Sequence, residues 1–173
     1  MNEKPVVLVV MDGVGLSDKH EGKAVYNAYT PNLDNFFNTC PWTAIKAHGT
    51  AVGLPSDDDT GNSEVGHNAI GCGQVYSQGA KLVNESIETG KIFESDTWKE
   101  LAENAKGHTF HFIGLLSDGN VHSNIKHLIA MLEELKKEGA GKVRLHILLD
   151  GRDVPEGSSV KYVEQIEEVM NKL

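Results

Sequence analysis

Three apolar runs limit the folds that this chain can adopt. Each run is followed directly, or after one residue, by an Asp-Gly pair. They cover residues 6–11, 109–116 and 143–149. The first has no polar side chain in six residues, which is typical of a strand buried on both faces of a parallel sheet. Polar groups that follow such strands lie where open α/β sheets bind their ligands. The sequence therefore predicts parallel strands with candidate functional residues directly after them.

Segments with helical periodicity alternate with these runs. The clearest covers residues 124–138, where Leu and Ile recur every three or four positions until Gly139 and Gly141. Further helices are predicted from Thr30-Pro31, from Ser63, over 81–88, over 95–104, and from Ser158 or Ser159. Residues 43–54 are predicted to be extended. Alternating strands and helices predict an α/β fold with parallel strands in three layers.

Composition excludes several classes of function. The chain has 173 residues and a formal net charge of −9, so one ordinary domain or two small ones are expected. The acidic balance argues against nucleic-acid binding, which needs a basic face. The longest uninterrupted apolar run, residues 6–11, is far shorter than the ~20 residues that span a bilayer. The expected partner is therefore a small molecule rather than a nucleic acid or a membrane.

The two cysteines, Cys40 and Cys72, do not form a CxxC pair. A disulfide framework and a thiolate zinc site are therefore both unsupported. The cysteines are expected to be buried, reduced thiols of a cytoplasmic protein.

Ser63 and Asp12 are candidates for catalysis and metal binding. Ser63 is predicted at a helix N-terminus, where unpaired N–H groups stabilise an alkoxide or hold a phosphate. The alternative is a capping serine without further function. Asp12 follows the first apolar run and suits a hard divalent cation, although an Asp that only forms a turn fits its position equally well.

A second candidate cluster follows the other two runs. Arg152 carries the planar guanidinium that binds carboxylate or phosphate with two parallel hydrogen bonds. Asp153 is a candidate general base, and His122 is able to donate to a phosphate oxygen or transfer a proton. Ser123 lies beside His122. Each residue alone has an ordinary structural alternative, namely an ion pair, a turn or a structural histidine.

Taken together, five segments resemble the cofactor-independent phosphoglycerate mutases of the alkaline phosphatase superfamily. They occur in the family's order along the whole chain. The segments are VLVVMDG at 7–13, PSDDDTGNSEVGHN at 55–68, QGAKLV at 78–83, GLLSDGNVHS at 114–123 and DGRDV at 150–154.

The resemblance implies the conversion of 3-phosphoglycerate to 2-phosphoglycerate and back through a phosphoserine. Ser63 would be the nucleophile, and Asp12 and Ser63 would bind one of two divalent cations, usually Mn²⁺. His122, Ser123, Arg152 and Asp153 would hold the substrate, with Asp153 as proton acceptor. In fold, residues 1–76 would be an incomplete part of the phosphatase-type domain. Residues 77–173 would begin the phosphotransferase-type α/β domain, which binds the substrate and is also incomplete.

The family's members are several-fold longer than this chain, and their remaining metal ligands lie in their C-terminal region. The expectation is an incomplete dimetal site and no activity of the isolated chain, unless self-association or a complementing C-terminal part completes the site. One alternative is a non-catalytic module that binds substrate or a partner. Another hydrolase of the superfamily, such as a phosphatase or sulfatase, fits the motifs around Ser63 and Asp150 less well.

Overall fold

The computed structural model describes residues 4–17 and 19–173. Contacts between residues divide the chain into two compact units, Met1–Ile45 and Lys46–Leu173. The domain boundary near Tyr76 stays a prediction. Within the second unit, the segment before Tyr76 contacts residues after it, since the buried Gln78 donates from Nε2 to the carbonyl of Val52 at 3.0 Å.

The first unit contains two helices, α1 (Ala24–Asn27) and α2 (Pro31–Thr39). Helix α2 begins as predicted, with Pro31 in the first turn, where its missing N–H costs nothing. The expected cap does not form, because the Thr30 hydroxyl donates to Asp34 Oδ1 at 3.1 Å instead of accepting from the backbone.

The strand predicted at residues 6–11 is wrong. These residues have no regular structure, and their side chains are exposed, Val6 by 95%. A strand needs a neighbouring strand for its backbone N–H and C=O groups, and the described residues of this unit contain no strand. Apolar composition alone is therefore not sufficient to form a strand here.

The second unit starts with a short 3₁₀ helix at Gly49–Val52 and helix α3 at Ser63–Cys72. The prediction that residues 43–54 are extended is wrong over this 3₁₀ turn. Val52, Leu54 and Val65 form a small buried cluster that packs the turn against α3. This packing determines the local position of Ser63.

The rest of the second unit follows the predicted alternation, with five helices and two strands. In chain order they are α4 (Gly79–Glu88), α5 (Lys91–Glu94), α6 (Asp96–Ala105), β1 (Thr109–Leu116), α7 (Ile125–Lys137), β2 (Lys142–Leu149) and α8 (Ser159–Lys172). Predicted and observed boundaries differ by at most two residues in these elements, apart from the short α5, which the sequence pattern does not predict.

Strands β1 and β2 pair in parallel from Thr109↔Lys142 to Leu116↔Leu149, with α7 as the connection between them. The predicted α/β class with parallel strands is confirmed. Because the register ends at Leu116 and Leu149, the polar residues that follow both strands lie at one edge of the sheet.

The core lies between one face of this sheet and the helices. One buried cluster joins Leu116 to α7 and α8 through Leu132 and Tyr162. A second joins Trp98 and Ala102 of α6 to Leu135 of α7. On the opposite face, Ile113 of β1 and Leu148 of β2 are exposed by 77% and 60%.

The expectation of buried cysteines is wrong. Cys40 follows α2 and Cys72 ends α3, and both thiols are exposed and free. Each lies at a helix end. Among the described helices, none has both the length and the apolar character needed to cross a membrane.

Candidate functional site

A buried pair of polar side chains connects the ends of the two strands. The Ser117 hydroxyl, directly after β1, donates to Asp150 Oδ2, directly after β2, at 2.6 Å. The same hydroxyl accepts from the backbone N–H of Gly119 at 3.1 Å. The pair therefore joins the two loops that carry the predicted substrate-binding residues.

Asp150 also organises the loop that follows it. Its Oδ1 accepts from the backbone N–H groups of Gly151 at 2.7 Å, Arg152 at 2.9 Å and Asp153 at 3.2 Å. The hydrogen bond from Ser117 and those from the backbone lower the pKa of Asp150 to about 2. An ionised carboxylate thus orders the segment that presents Arg152 and Asp153.

A second hydrogen-bonded pair of side chains supports the loop after β1. The buried Tyr162 of α8 donates its hydroxyl proton to Asp118 Oδ1 at 2.6 Å. This hydrogen bond, together with burial and the charge of Asp118, raises the pKa of Tyr162 to about 12. Tyr162 is therefore a structural donor rather than a proton-transfer group at neutral pH.

Asp153 and His122 face each other across the two loops. The Asp153 side chain is 7% exposed, and its Oδ2 lies 3.9 Å from His122 Nε2. This carboxylate oxygen is buried and accepts no hydrogen bond from the described residues. At Gly119 a Cβ atom would lie 2.6 Å from Asp153 Cβ, so the close approach of the loops requires glycine there.

The other two residues of the predicted substrate cluster lie on the same loops. Ser123 follows His122, and its hydroxyl is buried with no partner in the described part of the chain. Arg152 precedes Asp153 and its side chain is exposed. The structure therefore gathers His122, Ser123 and Asp153, with Arg152 at the exposed end of the cluster.

Ser63 is the first residue of α3 and is exposed. The N-cap is Asn62, whose side-chain oxygen accepts from Val65 N at 3.0 Å. The interpretation of Ser63 as the capping residue is thus wrong, and its hydroxyl is available at the positive end of the helix. Upstream, Gly61 N donates to His48 Nδ1 at 2.9 Å.

Asp12 lies in the first unit, apart in sequence from the other candidates. It is exposed, and its Oδ1 accepts from the N–H of Gly13 at 2.8 Å. A carboxylate and a hydroxyl suit a hard divalent cation, but such ions take about six oxygen ligands. No group of three or more His, Cys, Asp or Glu side chains suited to a metal occurs within residues 4–17 and 19–173. The donors among these described residues do not make a complete metal site.

Two residues that build the loop geometry, Ser117 and Asp150, receive no role from the sequence alone. The Asp-Gly signal after an apolar run is present at Asp150. Its partner Ser117 is not recognisable until the two strands are known to be adjacent.

The sequence of this chain matches one protein family over most of its length. The family model described as BPG-independent PGAM N-terminus matches residues 83–173. A probable 2,3-bisphosphoglycerate-independent phosphoglycerate mutase of Leptospira interrogans is 50% identical over 98% of this chain and 32% of its own length. The corresponding enzyme of Zea mays is 49% identical over 95% of this chain and 30% of its own length.

A solved structure agrees with these sequence relatives. Phosphoglycerate mutase of Leishmania mexicana, crystallised at low cobalt concentration, superposes with a TM-score of 0.84 at 45% identity. The match covers 94% of this chain and 30% of that protein. The chain thus spans about a third of the length of the relatives it matches. With the family model covering more than half of its residues, the chain belongs to the 2,3-bisphosphoglycerate-independent phosphoglycerate mutases and corresponds to their N-terminal part.

Proposed function

We propose that this chain supplies the serine nucleophile and part of the substrate site of a mutase that interconverts 3-phosphoglycerate and 2-phosphoglycerate. The observation that carries the proposal is the buried, unpartnered Oδ2 of Asp153, 3.9 Å from His122 Nε2. A buried carboxylate oxygen without a donor is costly, because burial removes its hydration. A hydroxyl of bound glycerate would supply the missing donor.

The charges around this oxygen suit a phosphorylated acid. Arg152 is able to bind a carboxylate or phosphate through two parallel N–H groups. His122 adds a donor whose Nε2 lies 3.9 Å from Asp153 Oδ2, and the Ser123 hydroxyl adds a further one. We assign the glycerate and its phosphate to these four residues.

The reaction we propose has two phosphoryl transfers. Ser63 Oγ attacks the phosphorus of 3-phosphoglycerate and gives up its proton, which the C3 oxygen takes up as its bond to phosphorus breaks. The C2 hydroxyl then attacks the phosphoserine and gives its proton to Asp153, and this proton returns to Ser63 Oγ as the bond from phosphorus to Ser63 Oγ breaks. The exposed position of Ser63 at the α3 N-terminus supports this role, because unpaired N–H groups there stabilise phosphoryl oxygens.

We further propose Asp12 and Ser63 as two oxygen ligands of a divalent cation, Mn²⁺ in the family's usual case. The remaining ligands would come from the part of the relatives' length that this chain does not span, or from a second copy. The exposed free thiols of Cys40 and Cys72 support a cytoplasmic location, where thiols stay reduced. Without those further ligands we expect no turnover by the isolated chain.

Substrate binding tests the proposal directly. Titration calorimetry with 3-phosphoglycerate is expected to show saturable binding, and Arg152→Ala is expected to raise the Kd about 10- to 100-fold, as for loss of charge-assisted hydrogen bonds. Arg144→Ala is the matched control, since Arg144 is also exposed but lies within β2. Equal Kd values for the two variants would overturn the assignment of Arg152.

A non-catalytic binding module is the second candidate, favoured by the incomplete metal donors among the described residues. Incubation with 3-phosphoglycerate and Mn²⁺, followed by mass spectrometry, separates it from the mutase proposal. Phosphate on Ser63 that is absent from Ser63→Ala supports the nucleophile, and the assay for 2-phosphoglycerate reports the full reaction. Binding without phosphoserine, even when a C-terminal part of a relative is added, would favour the module.

A further inference from the structure

One side-chain hydrogen bond joins two loops that are 61 residues apart in sequence. Asn120 Nδ2 donates to Asp59 Oδ1 at 2.9 Å, in a partly buried position. Asp59 belongs to the segment that leads into Ser63, and Asn120 belongs to the loop that leads into His122 and Ser123. The bond thus connects the segment before the proposed nucleophile with the proposed substrate cluster.

The backbone at Asn120 is held in an uncommon conformation. Its φ is +60°, and among the described residues it is the one non-glycine residue with a positive φ. This left-handed region costs free energy for residues with a Cβ, although Asn tolerates it better than most. The N–H of Asn120 donates to the carbonyl of Ser123 at 3.1 Å, so the conformation closes the turn that contains His122.

The side chain of Asn120 has both polar atoms engaged. While Nδ2 binds Asp59, Oδ1 accepts from Asn124 Nδ2 at 3.2 Å. Asn124 is the N-cap of α7, where its own Oδ1 accepts from Lys126 N. The amide of Asn120 is therefore oriented from both sides, and its orientation is tied to the start of a long helix.

Asp59 is equally fixed. Its Oδ2 accepts from the N–H and the hydroxyl of Ser56 at 2.8 Å and 2.9 Å, and its carbonyl accepts from Gly49 N at 3.0 Å. Burial acts to raise the pKa of Asp59, but the hydrogen bonds from Asn120 and Ser56 outweigh it and lower the pKa. The bond from Asn120 is thus made to a charged acceptor, which is the stronger kind.

We infer that Asn120 is a positioning residue, which fixes the turn carrying His122 and Ser123 relative to the segment before Ser63 through its hydrogen bond to Asp59. The benefit for substrate binding rests on the proposed function of the His122–Asp153 cluster, whereas the ordering of the turn does not. A glycine would satisfy the positive φ equally well, so the amide group is the part of Asn120 that this role requires.

Exchanging the two side chains is the sharpest test. In Asn120→Asp alone, two carboxylates face each other, and in Asp59→Asn alone, one oxygen has to serve both Ser56 and Asn120. In the double variant, the amide introduced at position 59 donates to the carboxylate introduced at position 120 and accepts from Ser56. That carboxylate still accepts from Asn124. Every donor then has an acceptor again, so the exchange is expected to restore the contact.

Hydrogen exchange of the backbone amides of residue 120 and Ile125 gives the readout, because both donate to carbonyls of this loop. Each single variant, and Asn120→Gly, is expected to exchange about tenfold faster at these amides than the original chain, as for loss of a bond to a charged group. The double variant is expected to return to within about twofold. Asn84→Ala, which removes a comparable amide contact to His127, is the control and is expected to leave these amides unchanged.

The Kd for 3-phosphoglycerate is measured on the same variants and is expected to follow the same order. The exchange rates can follow this order while neither the original chain nor any variant binds 3-phosphoglycerate. In that case the ordering role of Asn120 stands and the proposed substrate site fails. Wild-type exchange rates in Asn120→Gly, or failure of the double variant to restore them, would overturn the inference. Circular dichroism of each variant separates these outcomes from general unfolding, and the double variant remains informative if a single variant unfolds.

Discussion

Two apolar runs of this chain have opposite outcomes. Residues 6–11 are apolar without interruption, yet they form no strand and are exposed. Thr109–Leu116 contains a threonine, a histidine and a glycine, yet it forms the complete strand β1. Intrinsic preference for strands would rank the two runs in the reverse order.

The difference lies in what each run contacts within its own unit. β1 pairs with β2 along its whole length, and Leu116 is buried against α7 and α8. The described residues of the first unit contain no strand and no buried side chain. Strand formation in this chain therefore depends on a paired edge and a covering helix more than on the apolar character of the run.

The largest expected effect on the free energy of unfolding comes from replacing one leucine by alanine in each of the two runs. Leu116→Ala removes a side chain that is 2% exposed, and we expect it to lower the free energy of unfolding by about 2–5 kcal/mol. Leu8→Ala removes one that is 68% exposed, and we expect a change within about 0.5 kcal/mol. Urea unfolding followed by circular dichroism measures both. A large effect of Leu8→Ala would show that residues 6–11 are packed in solution, and the comparison would fail.

The same contrast explains how much of the fold is predictable. Residues 109–116, 124–138 and 143–149 are predicted almost to the residue, because the strands and the amphipathic helix between them lie next to one another in the sequence. The conformation of residues 6–11 is not predicted correctly, because it depends on a pairing strand that the local sequence pattern does not indicate. The 3₁₀ turn at Gly49–Val52 depends on packing against Val65, which is also non-local.

The candidate site is predictable only in its residue types. The polar groups after β1 and β2 indicate His122, Arg152 and Asp153, and the parallel register brings their loops to one edge. The family resemblance, not the spacing, indicates Ser63 and Asp12 as partners. Two hydrogen bonds organise the loops, one from Ser117 to Asp150 and one from Asn120 to Asp59. Their partners are 33 and 61 residues apart in the sequence, and no sequence pattern predicts them.

The next prediction compares the hydrogen bonds of two serine hydroxyls, one in each unit. Ser117→Ala removes a buried hydroxyl that donates to Asp150 and accepts from Gly119, and we expect a loss of about 1–3 kcal/mol in unfolding free energy. Ser17→Ala removes an exposed hydroxyl that accepts from Lys19 N at 3.1 Å, and a change within about 0.5 kcal/mol is expected. Thermal unfolding in matched buffer compares them. Equal losses would mean that burial of the pair after the strands does not matter.

The smallest expected effect concerns the two Asp-Gly pairs that follow the apolar runs at 6–11 and 143–149. Asp150 accepts from Ser117 and three backbone N–H groups, which lower its pKa from 3.8 to about 2, whereas exposed Asp12 accepts from its neighbour Gly13. A carboxyl with a lower pKa in the folded state contributes stability above its unfolded pKa, and that contribution is lost as the pH falls from about 4 towards 2.

Asp150→Asn is therefore expected to flatten the decline in stability over this pH range, while making the chain less stable at pH 7. Asp12→Asn, the matched variant, is expected to change stability by less than about 0.5 kcal/mol at either pH. Urea unfolding at several pH values between neutral and strongly acidic measures the slopes. If Asp150→Asn kept the original slope, the pKa of Asp150 would not be lowered in the folded chain, and its hydrogen bonds would not contribute stability in this way. Another interaction would then have to order the loop that presents Arg152 and Asp153. The two Asp-Gly pairs would then differ only in how deeply their Asp side chains are buried.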